Sequence, residues 1–253
     1  MKFWGKFLIL KTRITACDYQ WIIEKIIGSL NKKIIVAPVA SHPVTLAYLK
    51  NDYQKVLDKI DYVLPDSQWV RWSLSWLYGI KLPDRIYGPA LFIKLCKKAE
   101  KESIKICLIG NNLLNLELRL KNLFPNLKIV RLIELDNKII DKKLTIEINK
   151  KTKNLKNTII FIGIGSPNQH YLALNLKDNL PIICVGATFD FISGVKKQAP
   201  KWMGNCGLEW LFRLINELRL WKRYLIDSPL FLIFLFKQII MVKNNTKRIL
   251  FYK

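Results

Sequence analysis

The sequence predicts an α/β fold in which a mostly parallel sheet carries helices on both faces and a helical appendage follows at the C-terminus. Short β-branched runs recur, each followed by turn residues and an amphipathic helical stretch, an alternation typical of βα units. The alternation stops at Gly207, so we expect a core over residues 1–206 and a basic, helical appendage over 207–253. The runs are KKIIVAPV, YVLP, IKICLIG, LKIVRLI, NTIIFIGIG and LPIICVG.

The N-terminal segment, MKFWGKFLILKTRITACDYQ, is expected to form the first strand. It is basic, but its apolar run FLIL is shorter than the ~7–15 residues of a secretory signal. The chain has five cysteines and no CxxC pair. Their mostly apolar surroundings indicate reduced thiols in a cytosolic protein instead of a disulfide framework.

Lys and Arg outnumber Asp and Glu by 42 to 19, which gives a formal net charge of +23. Such an excess attracts polyanions, among them nucleic acid, anionic lipid headgroups and diphosphate substrates. We do not expect nucleic acid as a partner, because the chain has no zinc-finger spacing and no RNP-type aromatic motif. The charge does not decide between lipid headgroups and diphosphate substrates as the partner.

Asp66 stands between a short apolar strand and a helix in the segment YVLPDSQWVRWSLSW. Asp66 or Ser67 can cap this helix, because a side-chain oxygen accepts a hydrogen bond from an unpaired N–H. The alternative is a catalytic role for Asp66, since a carboxylate at the end of a strand can act as a general base towards an incoming hydroxyl group. Three tryptophans at helical spacing predict a helix that is buried nearly all round: Trp69, Trp72 and Trp76.

Three turns that place glycine directly after a strand are expected to surround one crevice, because ligands of such sheets bind beyond the carboxyl ends of the strands. In GIGSPNQ a helix begins after the turn, and its N–H groups can hold a phosphate. The alternative is a plain βα turn, because tight turns use glycine regardless of ligand. The segment is no dinucleotide fingerprint, because Asn168 replaces the third glycine. Asp190 in VGATFDF can bind a sugar hydroxyl group or cap a helix. The glycines of the three turns are Gly110, Gly163, Gly165 and Gly186.

The sequence predicts no metal site and no cofactor. His42 and His170 are its two histidines, and the chain has no Asp-x-Asp that could hold a divalent ion on a nucleotide diphosphate. It also lacks the G-x-S-x-G turn of a hydrolase. If the chain is an enzyme, we therefore expect a metal-free mechanism.

Four segments together resemble the WecG/TagA/CpsF glycosyltransferases, also called glycosyltransferase family twenty-six, over nearly the whole chain. The resemblance implies a Rossmann-like α/β enzyme that transfers a sugar, in characterised members an N-acetylmannosamine-type sugar. It also implies a UDP-sugar donor and a polyprenyl-diphosphate-linked acceptor at the cytoplasmic face of the membrane. The segments are PDSQWVRWSLSWLYGIKLPDRIYGPALF, GIGSPNQ, VGATFDFISGVKKQAPKWM and GLEWLFRLINELRLWKRYL.

The resemblance implies roles for individual residues. The family's proposed base, the aspartate of a PDG motif, falls on Asp66. The arginine of LPERV matches Arg85, and the glutamine of G-x-P-x-Q-E matches Gln169. The appendage arginines that close over the diphosphate correspond best to Arg219 and Arg223.

The chain departs from the family pattern in three places. The glycine of PDG is Ser67, and the glutamate that follows the family glutamine is His170. The family's Thr-x-Asn ahead of the aspartate is replaced around residues 38–40, which leaves Ser41 and His42 as polar candidates for reading the donor sugar.

The sequence thus predicts an inverting, metal-independent glycosyltransferase, cytoplasmic and peripheral at the inner face of the cell membrane. Asp66 would remove the proton of the acceptor hydroxyl group, while basic side chains and helix N–H groups stabilise the departing UDP. An anionic membrane surface is an expected partner, and homo-oligomerisation stays open. The alternative is a non-catalytic membrane-associated module that binds diphosphates or anionic lipids, with Asp66 in a structural role.

The end of the chain, SPLFLIFLFKQIIMVKNNTKRILFYK, is expected to lie on the membrane surface. Its apolar run is interrupted by Lys237 and Gln238 and is shorter than the ~20 residues that span a bilayer. The alternative is packing onto the protein's own core or a neighbouring subunit. The residues expected at the headgroups are Leu230, Phe231, Phe234 and Leu235, and those expected to meet anionic lipid are Lys222, Arg223, Lys237, Lys243, Lys247 and Arg248.

Overall fold

The structure is a computed structural model, and it describes residues 1–135, 140–217 and 220–251, with only the backbone for 223–224 and 243–251. The strands are β1 Phe3–Ile9, β2 Thr12–Cys17, β3 Ile34–Val39, β4 Tyr62–Pro65, β5 Lys105–Gly110, β6 Lys128–Glu134, β7 Thr158–Gly163 and β8 Pro181–Cys184. The helices are α1 Tyr19–Ile27, α2 Ser41–Leu49, α3 Asn51–Asp58, α4 Gln68–Tyr78, α5 Gly88–Lys101, α6 Leu113–Leu123, α7 Lys142–Thr152, α8 Asn168–Asn175, α9 Thr188–Ile192, α10 Lys201–Asn205, α11 Glu209–Asn216 and α12 Ser228–Phe251. A π-helical turn, Arg223–Asp227, precedes α12.

Among the described residues, the main sheet has six strands in the order β4-β3-β8-β7-β5-β6, and its strand pairs are all parallel. This confirms the predicted fold class. Both faces of the sheet are buried, because alternate residues of a strand point to opposite sides. In β7, Ile160 and Ile162 join one apolar cluster, whereas Ile159 and Phe161 join the other. Burying each such side chain contributes ~1.5–3 kcal/mol, which explains the continuous apolar runs in the sequence.

The predicted first strand is confirmed, but it lies outside the main sheet. β1 and β2 pair antiparallel as a separate hairpin. The hairpin turn contacts α12, where the Gln238 side chain accepts a hydrogen bond from Leu10 N–H at 2.7 Å and donates one to the Leu8 carbonyl at 3.0 Å. The amide thereby satisfies backbone groups that the turn leaves unpaired.

One face of α12 packs onto the protein. Phe231 and Leu235 are buried in the same cluster as the hairpin residue Ile9. Their expected place at the lipid headgroups is therefore wrong, since both contribute to the core. The opposite face is exposed and apolar, and it carries Leu232, Ile233, Phe236, Ile240 and Met241.

By length and composition, one window of 18 residues in the described chain, Leu225–Val242, could cross a membrane. This differs from the expectation, which was that the apolar run is too short to span a membrane. In the observed conformation, however, Phe231 and Leu235 are committed to the protein interior. The helix therefore lies along the molecule.

The α4 tryptophans attach the C-terminal part of the chain to the core. Trp69 Nε1 donates a hydrogen bond of 3.1 Å to the Gly207 carbonyl, and a Cβ at Gly207 would lie 3.1 Å from the Trp72 ring. Trp76 is 47% exposed, so the expected all-round burial of α4 is wrong. The apolar face is wide because it packs against both the core and the segment that starts at Gly207.

Candidate active site

A cleft of about 480 Å³ lies at the carboxyl ends of the parallel strands, as predicted. Its walls come from the residues that follow β3, β4, β7 and β8, and from the C-terminal part of the chain beyond Gly204. Carboxyl ends of parallel strands meet at one edge of a sheet, so residues far apart in sequence converge here.

Asp66 lies at the carboxyl end of β4 and points its carboxylate at the start of α5. Its Oδ1 accepts a hydrogen bond of 2.8 Å from the backbone N–H of Gly88, the first residue of that helix. A carboxylate here satisfies an N–H that the helix leaves unpaired, and the helix dipole favours its negative charge. The cap of α4 is Ser67, whose Oγ accepts a hydrogen bond from Val70 N–H at 3.4 Å. Asp66 therefore caps a helix, though not the one that follows it in sequence.

The surroundings of Asp66 raise the pKa of its carboxyl group above the ordinary value of 3.8, because burial disfavours the charged form. The Arg85 guanidinium opposes this shift by its positive charge. Among the described residues, Asp66 Oδ2 has no hydrogen-bond partner. A raised pKa and an uncommitted oxygen at a cleft are the properties that a general base needs.

Glu209 holds two arginines at the wall of the cleft. Its Oε2 accepts a hydrogen bond from Arg85 at 2.7 Å, and its Oε1 accepts one from Arg213 at 3.0 Å. Arg85 also donates to the Asp66 carbonyl oxygen at 3.2 Å, and its guanidinium lies over the Tyr87 ring. Burial works against ionisation of Glu209, but the guanidinium groups of Arg213 and Arg85 together lower its pKa. Two cations are thus held close to Asp66.

Three of the four glycines predicted to bind substrate line the cleft: Gly163, Gly165 and Gly186. Gly165 and Gly186 have φ angles of 84° and 60°, in the left-handed region that favours glycine. Gly110 is not among the lining residues. A Cβ on it would lie 2.8 Å from the Phe189 ring, and one on Gly163 would lie 2.3 Å from that ring. Close packing of Phe189 is therefore a sufficient reason for both glycines.

Two of the backbone N–H groups at the start of α8 are already paired within the turn. The N–H of Gln169 donates to the Gly165 carbonyl at 3.0 Å, and that of His170 donates to the Pro167 carbonyl at 2.9 Å. Asn168 is exposed and does not line the cleft. The N–H groups of Gln169 and His170 are therefore not free for a ligand, and a phosphate site at this turn stays a prediction.

Gln169 is buried and lines the cleft. Its side-chain Oε1 accepts a hydrogen bond of 2.9 Å from Gly186 N–H, and its Nε2 lies 3.4 Å from Ser166 Oγ. The amide thus joins the turn after β7 to the turn after β8.

Asp190 and Lys196 form an ion pair at 2.5 Å inside the cleft. Lys196 also reaches Glu217 at 3.3 Å, and Asn112 donates a hydrogen bond of 3.4 Å to Asp190. Asp190 therefore orients a lysine towards the cleft, a partner that the sequence did not suggest.

Ser41 and His42 follow β3 and line the cleft. His42 Nδ1 lies 2.5 Å from the Asp227 carboxylate, immediately before α12, and Thr45 donates to the Asp227 carbonyl at 3.4 Å. His42 thus joins the core to the start of α12. Its role in reading the donor sugar stays a prediction.

Arg219 and the side chain of Arg223 fall outside the described residues, so their role at a diphosphate stays a prediction.

Within residues 1–135, 140–217 and 220–251, no group of three or more His, Cys, Asp or Glu side chains could hold a metal ion.

Sequence reasoning missed Glu209, Arg213 and Lys196 as cleft residues. For the first two a signal existed, because they stand four residues apart in GLEWLFRL, a spacing that puts both on one face of a helix. Lys196 follows a turn in a stretch without periodicity, and no sequence signal distinguishes it from the other lysines.

Comparison with known proteins found a matching family and similar proteins. The model of the "Glycosyl transferase WecG/TagA/CpsF family" matches residues 7–245. The chain is 29% identical over 225 residues to the N-acetylglucosaminyldiphosphoundecaprenol N-acetyl-beta-D-mannosaminyltransferase of Bacillus subtilis strain 168, covering 85% of this chain and 82% of that protein. It is also 29% identical over 179 residues to the protein of the same name from Bacillus spizizenii, covering 68% of this chain and 67% of that protein.

The family match spans nearly the whole chain, from the first strand of the hairpin into α12. It therefore includes both the cleft at the sheet edge and the C-terminal segment that forms one wall of that cleft. The chain belongs to the WecG/TagA/CpsF family of glycosyl transferases and is a glycosyltransferase.

Proposed function

We propose that this glycosyltransferase moves a sugar, of the N-acetylmannosamine type, from a UDP donor to a polyprenyl-diphosphate-linked acceptor, as a step in cell-surface polysaccharide synthesis. The names of the two Bacillus relatives support this choice of sugar and acceptor. The observation that carries the proposal is the Asp66 carboxylate, held by Gly88 N–H in a cleft beside two arginines.

In the proposed reaction Asp66 Oδ2 accepts the proton of the acceptor hydroxyl group. The hydroxyl oxygen then attacks the anomeric carbon of the donor from the face opposite UDP, and the bond from that carbon to the UDP oxygen breaks. The bonding electrons leave with UDP, so one new glycosidic bond replaces one sugar–phosphate bond and the anomeric configuration inverts.

The departing diphosphate needs positive charge, which we assign to side chains instead of a metal ion. Arg85, Arg213 and Lys196 line the cleft, and each forms an ion pair with a carboxylate. Arg219 and Arg223 are further candidates from the family resemblance. Family membership supports the enzymatic role over the alternative of a non-catalytic lipid-binding module.

We further propose that the protein is cytoplasmic and attached to the inner face of the membrane, with the exposed face of α12 as the anchor. Apolar side chains continue from that face to Trp221, Leu225 and Ile226, which are also exposed. A surface of this kind can enter the headgroup region, while the net charge of +23 attracts anionic lipid.

The test is an assay of UDP release with a panel of UDP-sugars and an acetylglucosaminyl polyprenyl diphosphate acceptor. We expect turnover with the N-acetylmannosamine donor, inversion at the anomeric carbon by NMR of the product, and an unchanged initial rate in EDTA. Dependence of the rate on added Mg²⁺ or Mn²⁺ would contradict the metal-independent mechanism. Absence of transfer from every donor would contradict the proposed reaction.

A further inference from the structure

His170 and Tyr53 form a buried pair directly behind the cleft. Tyr53 Oη lies 2.6 Å from His170 Nδ1, and the rings stack with centroids 5.9 Å apart. The other ring nitrogen of His170, Nε2, lies 3.3 Å from Gln169 Nε2. His170 is fully buried and Tyr53 nearly so, and neither lines the cleft.

The orientation of the Gln169 amide follows from its partners. Gly186 N–H can only donate, so the amide atom 2.9 Å away must be the oxygen. The nitrogen of Gln169, which can only donate, therefore faces His170 Nε2. His170 Nε2 must accept this hydrogen bond and carries no proton.

This fixes the tautomer of His170. A neutral imidazole carries one proton, so the proton is on Nδ1 and is donated to Tyr53 Oη. The opposite tautomer would set an N–H of His170 against the NH₂ group of Gln169. Relief of that clash would require the Gln169 amide to turn over, which would break its hydrogen bond to Gly186.

We infer that Tyr53 and His170 are positioning residues that fix the Gln169 amide and, through it, the spacing between the glycine turns after β7 and β8. The chain of hydrogen bonds runs from Tyr53 through His170 and Gln169 to Gly186. Both turns line the cleft. The inference rests on the proposed function, because it assigns these turns to the UDP-sugar donor.

The pair has a specific kinetic consequence. In the proposed reaction the turns contact the donor both before and during transfer, whereas the proton moves to Asp66, which is not part of this chain of hydrogen bonds. Loosening the turns therefore weakens ground-state and transition-state binding alike, which raises KM and leaves kcat nearly unchanged.

The first test reads the tautomer without any substrate. The full chain contains two histidines, so a protein labelled with ¹⁵N-histidine gives two imidazole patterns in a long-range ¹H–¹⁵N spectrum, and His170→Gln assigns them. We expect a protonated Nδ1 and an unprotonated Nε2 for His170. A protonated Nε2 would overturn the inference.

The second test uses Tyr53→Phe, which removes the hydroxyl group and keeps the ring. We expect KM for the UDP-sugar to rise ~3–10-fold with kcat within about twofold of the native value. The matched control is Tyr171→Phe, because the Tyr171 ring lies 6.1 Å from that of Tyr53 but is 39% exposed and outside the chain of hydrogen bonds. Unchanged kinetics in Tyr53→Phe, or a loss in kcat alone, would overturn the inference.

A third comparison separates positioning from space filling. Glutamine at position 170 can accept from Gln169 and donate to Tyr53, whereas leucine fills the space without either bond. We expect His170→Gln to keep a native KM and His170→Leu to raise it, with thermal melts confirming that both fold. The reverse order would mean that His170 only fills volume. If the native chain turns over no UDP-sugar, the proposed function is wrong. The tautomer of His170, which is read without substrate, then decides by itself whether Tyr53 and His170 fix the Gln169 amide.

Discussion

Asp66 Oδ1 and the backbone N–H of Gly88 form a hydrogen bond of 2.8 Å that joins the end of β4 to the start of α5. The two residues are 22 positions apart, and this contact sets the direction of the carboxylate in the cleft. A single side chain thus stabilises the fold and, among the described residues, keeps its second oxygen without a hydrogen-bond partner in the cleft.

Asp66→Asn tests the second of these roles. The asparagine oxygen can still accept from Gly88 N–H, so the variant should fold, but an amide cannot take a proton from the acceptor. We expect kcat to fall ~10²–10⁴-fold, measured by UDP release, while donor binding is kept.

Ser67→Ala is the matched control for Asp66→Asn. It removes the hydroxyl group that caps α4, which should cost ~1 kcal/mol of unfolding free energy and leave kcat close to native. Near-native turnover in Asp66→Asn would refute the role of Asp66 as the base.

The pH dependence of the rate should report the raised pKa of Asp66. A base must be ionised, so we expect the acidic limb of kcat/KM to lie above pH 3.8, the ordinary value for an aspartate. Since Arg85 holds this pKa down, Arg85→Met should move the limb to higher pH. A limb that moves to lower pH in this variant would contradict the assignment.

His170 should make the fold sensitive to acid. Burial lowers the pKa of His170 from 6.5 to about 3. Between these values the unfolded chain binds a proton that the folded chain does not, so the free energy of unfolding falls as the pH drops from 6.5 towards 3, by up to ~1.4 kcal/mol per pH unit.

The measurement is urea unfolding at several pH values for the native chain and for His170→Gln. The difference in unfolding free energy between the two should change with pH below 6.5 and stay constant above it. A difference that is the same at every pH would show that His170 titrates normally.

The exposed face of α12 should be the membrane anchor. Replacing Ile233 and Phe236, which are 50% and 63% exposed, by serine should weaken binding to anionic liposomes ~10–30-fold, if each contributes ~1 kcal/mol at the headgroups. High salt should release the native protein only in part, because it screens charges but not apolar contacts.

Phe231→Ala is the control on the other face of α12. Because Phe231 is buried in the core, this variant should lose ~3–5 kcal/mol of unfolding free energy. Equal liposome binding by the native chain and the Ile233/Phe236 double variant would exclude this face as the anchor.

The sequence by itself determined the α/β class, the βα alternation and the edge of the sheet at which the cleft lies. These follow from local patterns, since buried parallel strands need continuous β-branched runs and crevices form where such strands end. It also indicated the family and made Asp66 the candidate base, because a motif at a strand end is local in the chain.

Only the tertiary structure decided what each side chain contacts. The sequence could not show that Asp66 caps α5 instead of α4, or that Gly110 makes room for Phe189. Nor could it show that Phe231 faces the core, whereas Phe236 faces outward. Each depends on contacts between residues far apart in the chain, and a local pattern gives hydrophobicity and spacing but not the partner. The Tyr53–His170–Gln169 contacts are of the same kind, since Tyr53 and His170 meet only because α3 and α8 pack side by side.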